Sequence, residues 1–174
     1  MSHIPLVDSH SDPRVAEVLD DIRITLGMVP AIFRAIGNNP TILASLWNRY
    51  QHVMLTGNLS PKLKEGIGLM VAADEHSDYG IALHSKALEK LGVDPHEVLR
   101  IRTNPDHAHY EPKDHALLEV ARHQNNNPYD HSGEVTDAAR MAGASDAEII
   151  EALAAAGLAC ELSRTAAFLS LPSD

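Results

Sequence analysis

The sequence predicts an all-α fold: one single-domain helical bundle built around an antiparallel helix hairpin at about residues 60–91. Three observations carry this. The chain is rich in Ala and Leu and only 4% aromatic, which favours helices over sheets. Its apolar runs open on cap–proline pairs such as Asp12-Pro13, Asn39-Pro40, Ser60-Pro61 and Asp94-Pro95, and several close on glycine, as helices do. At 174 residues, with no linker rich in Pro, Gly or Ser, a single domain has enough chain to bury a core.

The elements follow in order. Residues 1–11 read as a loose leader, with His3 and His10 exposed. Asp12-Pro13 opens a helix with a one-sided stripe of Val15, Val18, Leu19 and Ile22, ending near Leu26-Gly27. After the turn Met28-Val29-Pro30, Ala31 to Ile36 makes a short helix closed by Gly37. Asn39-Pro40 starts a longer one, with Ile42, Leu43, Leu46, Trp47, Tyr50, Val53 and Met54 spaced for burial, ending at Gly57-Asn58. Ser60 then caps, and Pro61 begins, the first hairpin helix. Its run from Glu65 to Ala73 is almost wholly apolar, so it is buried on most sides. Asp74 to Asp78 forms a polar turn, with His76 exposed and Ser77 or Asp78 capping the return helix. That helix carries Gly80, Ile81, Leu83, Ala87, Leu88 and Leu91 at helical spacing and stops at Gly92.

Beyond the hairpin, Asp94-Pro95-His96-Glu97 reads as a capping box on a short helix reaching Ile101. Thr103 to Pro112 is a polar loop placed to cover the hairpin's mouth. Lys113 to Gln124 is helical, with Ala116, Leu117, Val120 and Ala121 inward. Glu134 to Met141 is another helix, stopped at Gly143. Ser145 to Glu148 is a second capping box, opening the Ala-rich segment Ile149 to Leu169, in which Gly157 marks a break or a close contact. This makes about eight helices. Gly66 and Gly68 sit inside a helix at roughly 1 kcal/mol each against Ala, which points to a helix or subunit approaching closely. The greasy surfaces of the first hairpin helix and the last helix point the same way, toward an oligomer.

The hairpin brings two chemical groups level. Glu65 lies ten residues before Glu75, near the middle of the turn, and His84 lies nine after it. Each is therefore roughly 14 Å from the turn. An antiparallel pair sets the carboxylate against the imidazole in an apolar wall, as a coupled proton-transfer pair. Ser77, two turns before His84 on nearly the same face, either holds substrate or caps the helix. Tyr79 is about 140° round the helix from His84 and faces a neighbouring helix or subunit.

Glu65, the nineteen-residue step to His84 on the next helix, and the ending Lys90-Leu91-Gly92 resemble the alkylhydroperoxidase D (AhpD)-like and carboxymuconolactone decarboxylase superfamily over about residues 46–101. The resemblance implies an AhpD-like bundle, trimeric or hexameric assembly, and catalysis by Glu65 and His84. It places the helix of Trp47 and Tyr50 over the hairpin, so both are candidates for the pocket wall as well as core anchors. Redox-active members carry cysteines seven and four residues before the histidine. Here those positions are Ser77 and Gly80, so the decarboxylase branch fits better than the thiol peroxidase branch. The substrate-side candidates are Ser77, Tyr79, Gly80, Trp47 and Tyr50.

Composition narrows the partners. The formal net charge is −10, against nucleic acid or an anionic membrane as the main partner. Without a signal-like N-terminus or an apolar run near twenty residues, a soluble cytoplasmic protein is expected. The single Cys160 excludes an intrachain disulfide and reads as a buried, inert thiol. His115, Glu119 and His123 recur every four residues, but no strong zinc signature is present, so neither metal nor cofactor is expected. The leading reading is an enzyme using His84 to shuttle a proton and Glu65 to orient it, acting without cofactor on a small carboxylated or enolisable molecule. The alternatives are an antioxidant protein of the peroxidase or peroxiredoxin type, and a non-catalytic oligomeric binding scaffold.

Overall fold

The computed structural model describes residues 2–8 and 12–173. The described residues include nine α-helices: α1 Pro13–Leu26, α2 Ala31–Ile36, α3 Pro40–Tyr50, α4 Pro61–Asp74, α5 Asp78–Lys90, α6 Pro95–Thr103, α7 Pro112–Asn126, α8 Glu134–Met141 and α9 Asp146–Phe168. The all-α expectation holds. The long third helix does not run unbroken to Gly57: after Tyr50 it passes into a π turn, Gln51–Leu55. One backbone bond per turn is re-spaced there, which widens the helix and re-aims its side chains.

The caps behave as the local chemistry dictates. Side chains of Asp12, Asn39, Ser60 and Ser77 accept from the first-turn N–H groups of Arg14, Ile42, Leu63 and Gly80. Ser145 and Glu148 form a true reciprocal box. Asp94 caps α6 alone, because Glu97 turns instead to Arg100 and to the N–H of His109. The short box motif competes with a tertiary partner there and loses.

Helix α4 is the hub, packed against α5, α9, α6 and α7. Its residues from Gly66 to Ala72 are all buried. Helix α9 buries Ile149, Ala152, Ala155, Leu158, Ala159 and Leu162 against the same core. The greasy faces that pointed to a subunit contact are thus largely covered within the chain. Gly157 makes no break in α9, and a Cβ there would lie 3.8 Å from its nearest neighbour, Arg49. The leader is not loose over the residues described. His3 N–H donates to the Leu169 carbonyl at 2.9 Å, Val7 N–H donates to the Arg34 carbonyl at 3.1 Å, and Ile4, Leu6 and Val7 pack on the core. His3 is exposed; His10 lies outside the described residues.

The start of α9 is tied to α7 by Lys113 and Glu148, 2.6 Å apart. The Lys113 ammonium, with the N–H and hydroxyl of Ser145, pulls the Glu148 carboxyl down from 4.5 to about 2. A depressed carboxyl stabilises the fold above its unfolded value and loses that contribution as pH falls through the folded one. Wild type should therefore be more heat-stable than Glu148→Gln at neutral pH. The gap in melting temperature should close as pH falls from about 4.5 toward 2; a gap independent of pH over that window would contradict the assignment.

Candidate active site

The antiparallel hairpin is α4, the turn at Glu75–Ser77, and α5. The turn closes with His76 at φ 52 and with the Ser77 N–H donating to the Ala72 carbonyl at 2.9 Å. This reversal sets Glu65 against His84, with Oε2 and Nδ1 2.7 Å apart. His84 is 6% exposed, and the Glu65 side chain is 14% exposed.

The imidazole fits because residue 68 has no side chain. A Cβ at Gly68 would lie 2.4–2.6 Å from three atoms of the His84 ring. Gly66 plays the same part for Tyr110, whose hydroxyl would lie 2.0 Å from a Cβ there. The two helical glycines therefore admit side chains, an imidazole and a phenol, rather than an approaching backbone or subunit. Tyr110 carries the 103–112 loop onto the Gly66 face of α4, where its hydroxyl donates to the Lys62 carbonyl at 3.4 Å. No residue of that loop lines the cavity described next, so it does not cover the site as the sequence suggested.

A cavity of about 340 Å³ opens beside the pair. Apolar side chains, among them Leu26, Ile32, Phe33, Met54, Leu83 and Leu162, make most of its wall. Glu65 is on the wall and His84 is not, so Glu65 is the member of the pair that borders the cavity, with the imidazole held against its carboxylate. Tyr50 also lines it. Burial, and secondarily the charge of Glu65, push its phenol well above the ordinary value, so the hydroxyl remains a donor. Among the described residues that hydroxyl has no hydrogen-bond partner. Phe33 meets Tyr50 edge-on at 5.5 Å and Trp47 edge-on at 5.6 Å, and Trp47 stacks on Tyr50 at 5.6 Å.

The other candidates fall elsewhere. Trp47 is buried behind Tyr50, with its Nε1–H donating to Asp21 at 2.6 Å, and is a core anchor rather than wall. Tyr79 reaches α2, where its hydroxyl accepts from the Ile32 N–H at 3.2 Å. Ser77 is 2% exposed and caps α5 through the Gly80 N–H at 3.1 Å. Gly80 lets α5 close on α4 and α9: a Cβ there would lie 2.8 Å from Ala72 Cβ and 2.9 Å from Ser163 Oγ. Ser77, Tyr79 and Gly80 are therefore absent from the cavity wall.

His115, Glu119 and His123 do not converge. They engage the Asp106 carbonyl at 3.0 Å, Arg122 at 2.7 Å and Asp130 at 2.7 Å respectively. Among the described residues no three His, Cys, Asp or Glu side chains gather as a metal cluster. His115 and Glu119 line a separate depression between α7 and α8 that shares no residue with the cavity beside the pair. The Cys160 thiol donates to Glu75 Oε1 at 3.7 Å. Burial, then the Glu75 charge, push its pKa up, away from a reactive thiolate.

Sequence reasoning missed a buried ion pair beneath the site. Lys64, with a side chain 3% exposed, lies 2.6 Å from Glu151 on α9. It also donates to the Thr56 carbonyl at the end of the π turn. Glu151 accepts the N–H groups of Asn58 at 2.8 Å and Leu59 at 3.2 Å. Burial raises this carboxyl, but Lys64 and the two N–H groups outweigh it and hold it below the ordinary value. The available signal was a lysine at the edge of an otherwise apolar run.

Residues 41–123, spanning both members of the pair, match the model of the carboxymuconolactone decarboxylase family. No functionally curated protein matches the sequence. Among solved structures, the chain is similar to the alkylhydroperoxidase AhpD core of an uncharacterized peroxidase-related protein from Ralstonia eutropha JMP134. The TM-score is 0.90 at 18% identity, over 99% of this chain and 92% of that one. An uncharacterized peroxidase-related protein from Silicibacter sp. TM1040 gives 0.89 at 20% identity, over 99% and 90%. The debrominase Bmp8, as a cysteine-to-alanine variant in complex with 2,3,4-tribromopyrrole, gives 0.82 at 18% identity, over 100% and 94%. Fold and hairpin together define an AhpD-like all-α domain. Residues 41–123 thus match the carboxymuconolactone decarboxylase family within an AhpD-like fold, and the chain carries no cysteine pair, Cys160 being its single cysteine.

Proposed function

We propose that this protein is an enzyme that uses the Glu65–His84 pair for cofactor-free acid–base chemistry on a small organic molecule. The observation that carries the reading is a carboxylate on the wall of an apolar cavity, 2.7 Å from a buried imidazole. The roles are exchanged relative to the sequence expectation. Glu65 faces the substrate and takes or returns the proton; His84 shares that proton from behind and orients the carboxylate. Tyr50, kept protonated, donates a hydrogen bond to oxygen charge developing on the substrate. Substrates with an acidic C–H next to a carbonyl suit these three groups.

The raised pKa of Cys160 and the absence of thiols at positions 77 and 80 favour this reading over a thiol peroxide route. No helix among the described residues is long and apolar enough to cross a membrane, and the pair needs no membrane. A trimer or hexamer, which the family resemblance implies, and a cytoplasmic location, which the sequence reading expects, remain part of this proposal.

The test is a panel of small enolisable carbonyl compounds in deuterated water, followed by NMR for loss of the acidic proton. Glu65→Gln and His84→Ala should both fold. Glu65→Gln should lower exchange or turnover by about a hundredfold or more, in the range of general acid–base contributions. Unchanged rates in Glu65→Gln would remove the carboxylate from the chemistry.

A further inference from the structure

The charge census of the chain singles out the cavity's mouth. The protein has 14 lysines and arginines against 24 acidic residues. Only Lys86, Lys90 and Arg102 lack a hydrogen-bond or ion-pair partner among the described residues. Two of those three, Lys86 and Lys90, line the cavity that Glu65 faces. They stand four residues apart on one face of α5, and both are exposed. In a molecule with ten excess negative charges, two unpaired ammonium groups on one rim are a local reversal of the field. An anion is attracted there and repelled over most of the remaining surface.

Position along α5 orients the ligand. Lys90 is six residues beyond His84, about 9 Å along the helix axis, and Lys86 is two residues beyond it, about 3 Å along the axis. Neither ammonium is within ion-pair distance of Glu65 or of any other described carboxylate. The cavity wall that the lysines and Glu65 share is otherwise largely apolar, with Leu26, Phe33, Met54, Leu83 and Leu162 among its residues. A negative group beside the Glu65 carboxylate is disfavoured, whereas at the lysines it is favoured.

From this we infer the substrate class of the proposed site: an apolar monocarboxylate whose carboxylate rests on Lys86 and Lys90, with its hydrocarbon body reaching in toward Glu65. The inference rests on the reading of this cavity as the substrate site. It has a chemical consequence. The carboxylate held by the two lysines is a handle and is not the group that reacts.

Octanoate and octanol, matched in body and different in charge, test it by titration calorimetry with no turnover required. Wild type should bind octanoate more tightly than octanol, with a preference that weakens at high ionic strength. Because the lysines are exposed and unpaired, Lys86→Met/Lys90→Met should fold normally. It should weaken octanoate binding about tenfold while leaving octanol unchanged, as expected for two exposed charge contacts. Absent octanoate binding, equal affinity for acid and alcohol in wild type, or an unaffected double variant would each overturn the inference. The acid–base reading fails separately: Glu65→Gln with full turnover would remove that reading while a lysine-dependent preference for octanoate left the substrate class standing.

Discussion

Lys64→Met should cost about 3–5 kcal/mol of stability, the range for removing one partner of a buried pair, and be the most damaging single change near the site. The lost ammonium leaves Glu151 charged, with its side chain 12% exposed and only the Asn58 and Leu59 N–H groups to compensate. It also frees the Thr56 carbonyl that ends the π turn. Lys64→Met/Glu151→Gln should recover more than half of the loss. The amide oxygen still accepts from the two N–H groups, and no uncompensated charge remains. Denaturant midpoints at constant m value decide this. Equal midpoints for wild type and Lys64→Met would mean that the pair is effectively solvated. Because the same clamp anchors the turn carrying Met54 and Leu55 into the cavity wall, the single variant should also bind cavity ligands more weakly.

Gly68→Ala should destabilise the fold by about 1–3 kcal/mol, the usual cost of overpacking, and reduce turnover as far as His84→Ala does. Inside a helix the same change ordinarily gains roughly 1 kcal/mol. The sign reverses because the new methyl would lie 2.4–2.6 Å from the His84 ring. The ring is confined between α4 and its contact with Glu65, so it must leave the carboxylate to make room. Gly157→Ala is the control. Its Cβ would lie 3.8 Å or more from any neighbour, so the helix-propensity gain of about 1 kcal/mol should appear in full. Thermal unfolding of both variants, with turnover for the first, checks the pair. A stabilised, fully active Gly68→Ala would show that the imidazole is not confined.

The local layer of this protein was legible because its signals are local. Cap–proline pairs placed the starts of α1, α3, α4 and α6, and serine caps placed those of α5 and α9. The level placement of Glu65 and His84 needed only helical rise and a short turn, and their 2.7 Å contact agrees with it. The errors arose where a distant residue decided the outcome. Glu97 has the spacing of a capping box, but His109 and Arg100 take its carboxylate. Tyr50 and Trp47 share one helix face in the sequence, yet Asp21 draws Trp47 into the core while Tyr50 stays on the wall. The leader is polar and proline-containing, yet it docks because Arg34 and Leu169 offer it backbone partners.

The sequence by itself determined that this chain is helical, where its helices begin, that a carboxylate and an imidazole stand level across a hairpin, and that the cysteine pair is missing from positions 77 and 80. Only the tertiary structure decided which member of the pair meets the cavity, why Gly66 and Gly68 carry no side chain, and that Lys64 is buried against Glu151. The physical reason is range. Hydrogen bonds within a turn and apolar periodicity act between residues a few positions apart, whereas packing against a cavity depends on side chains contributed by α1, α2, α3, α4, α5, α9 and the π turn.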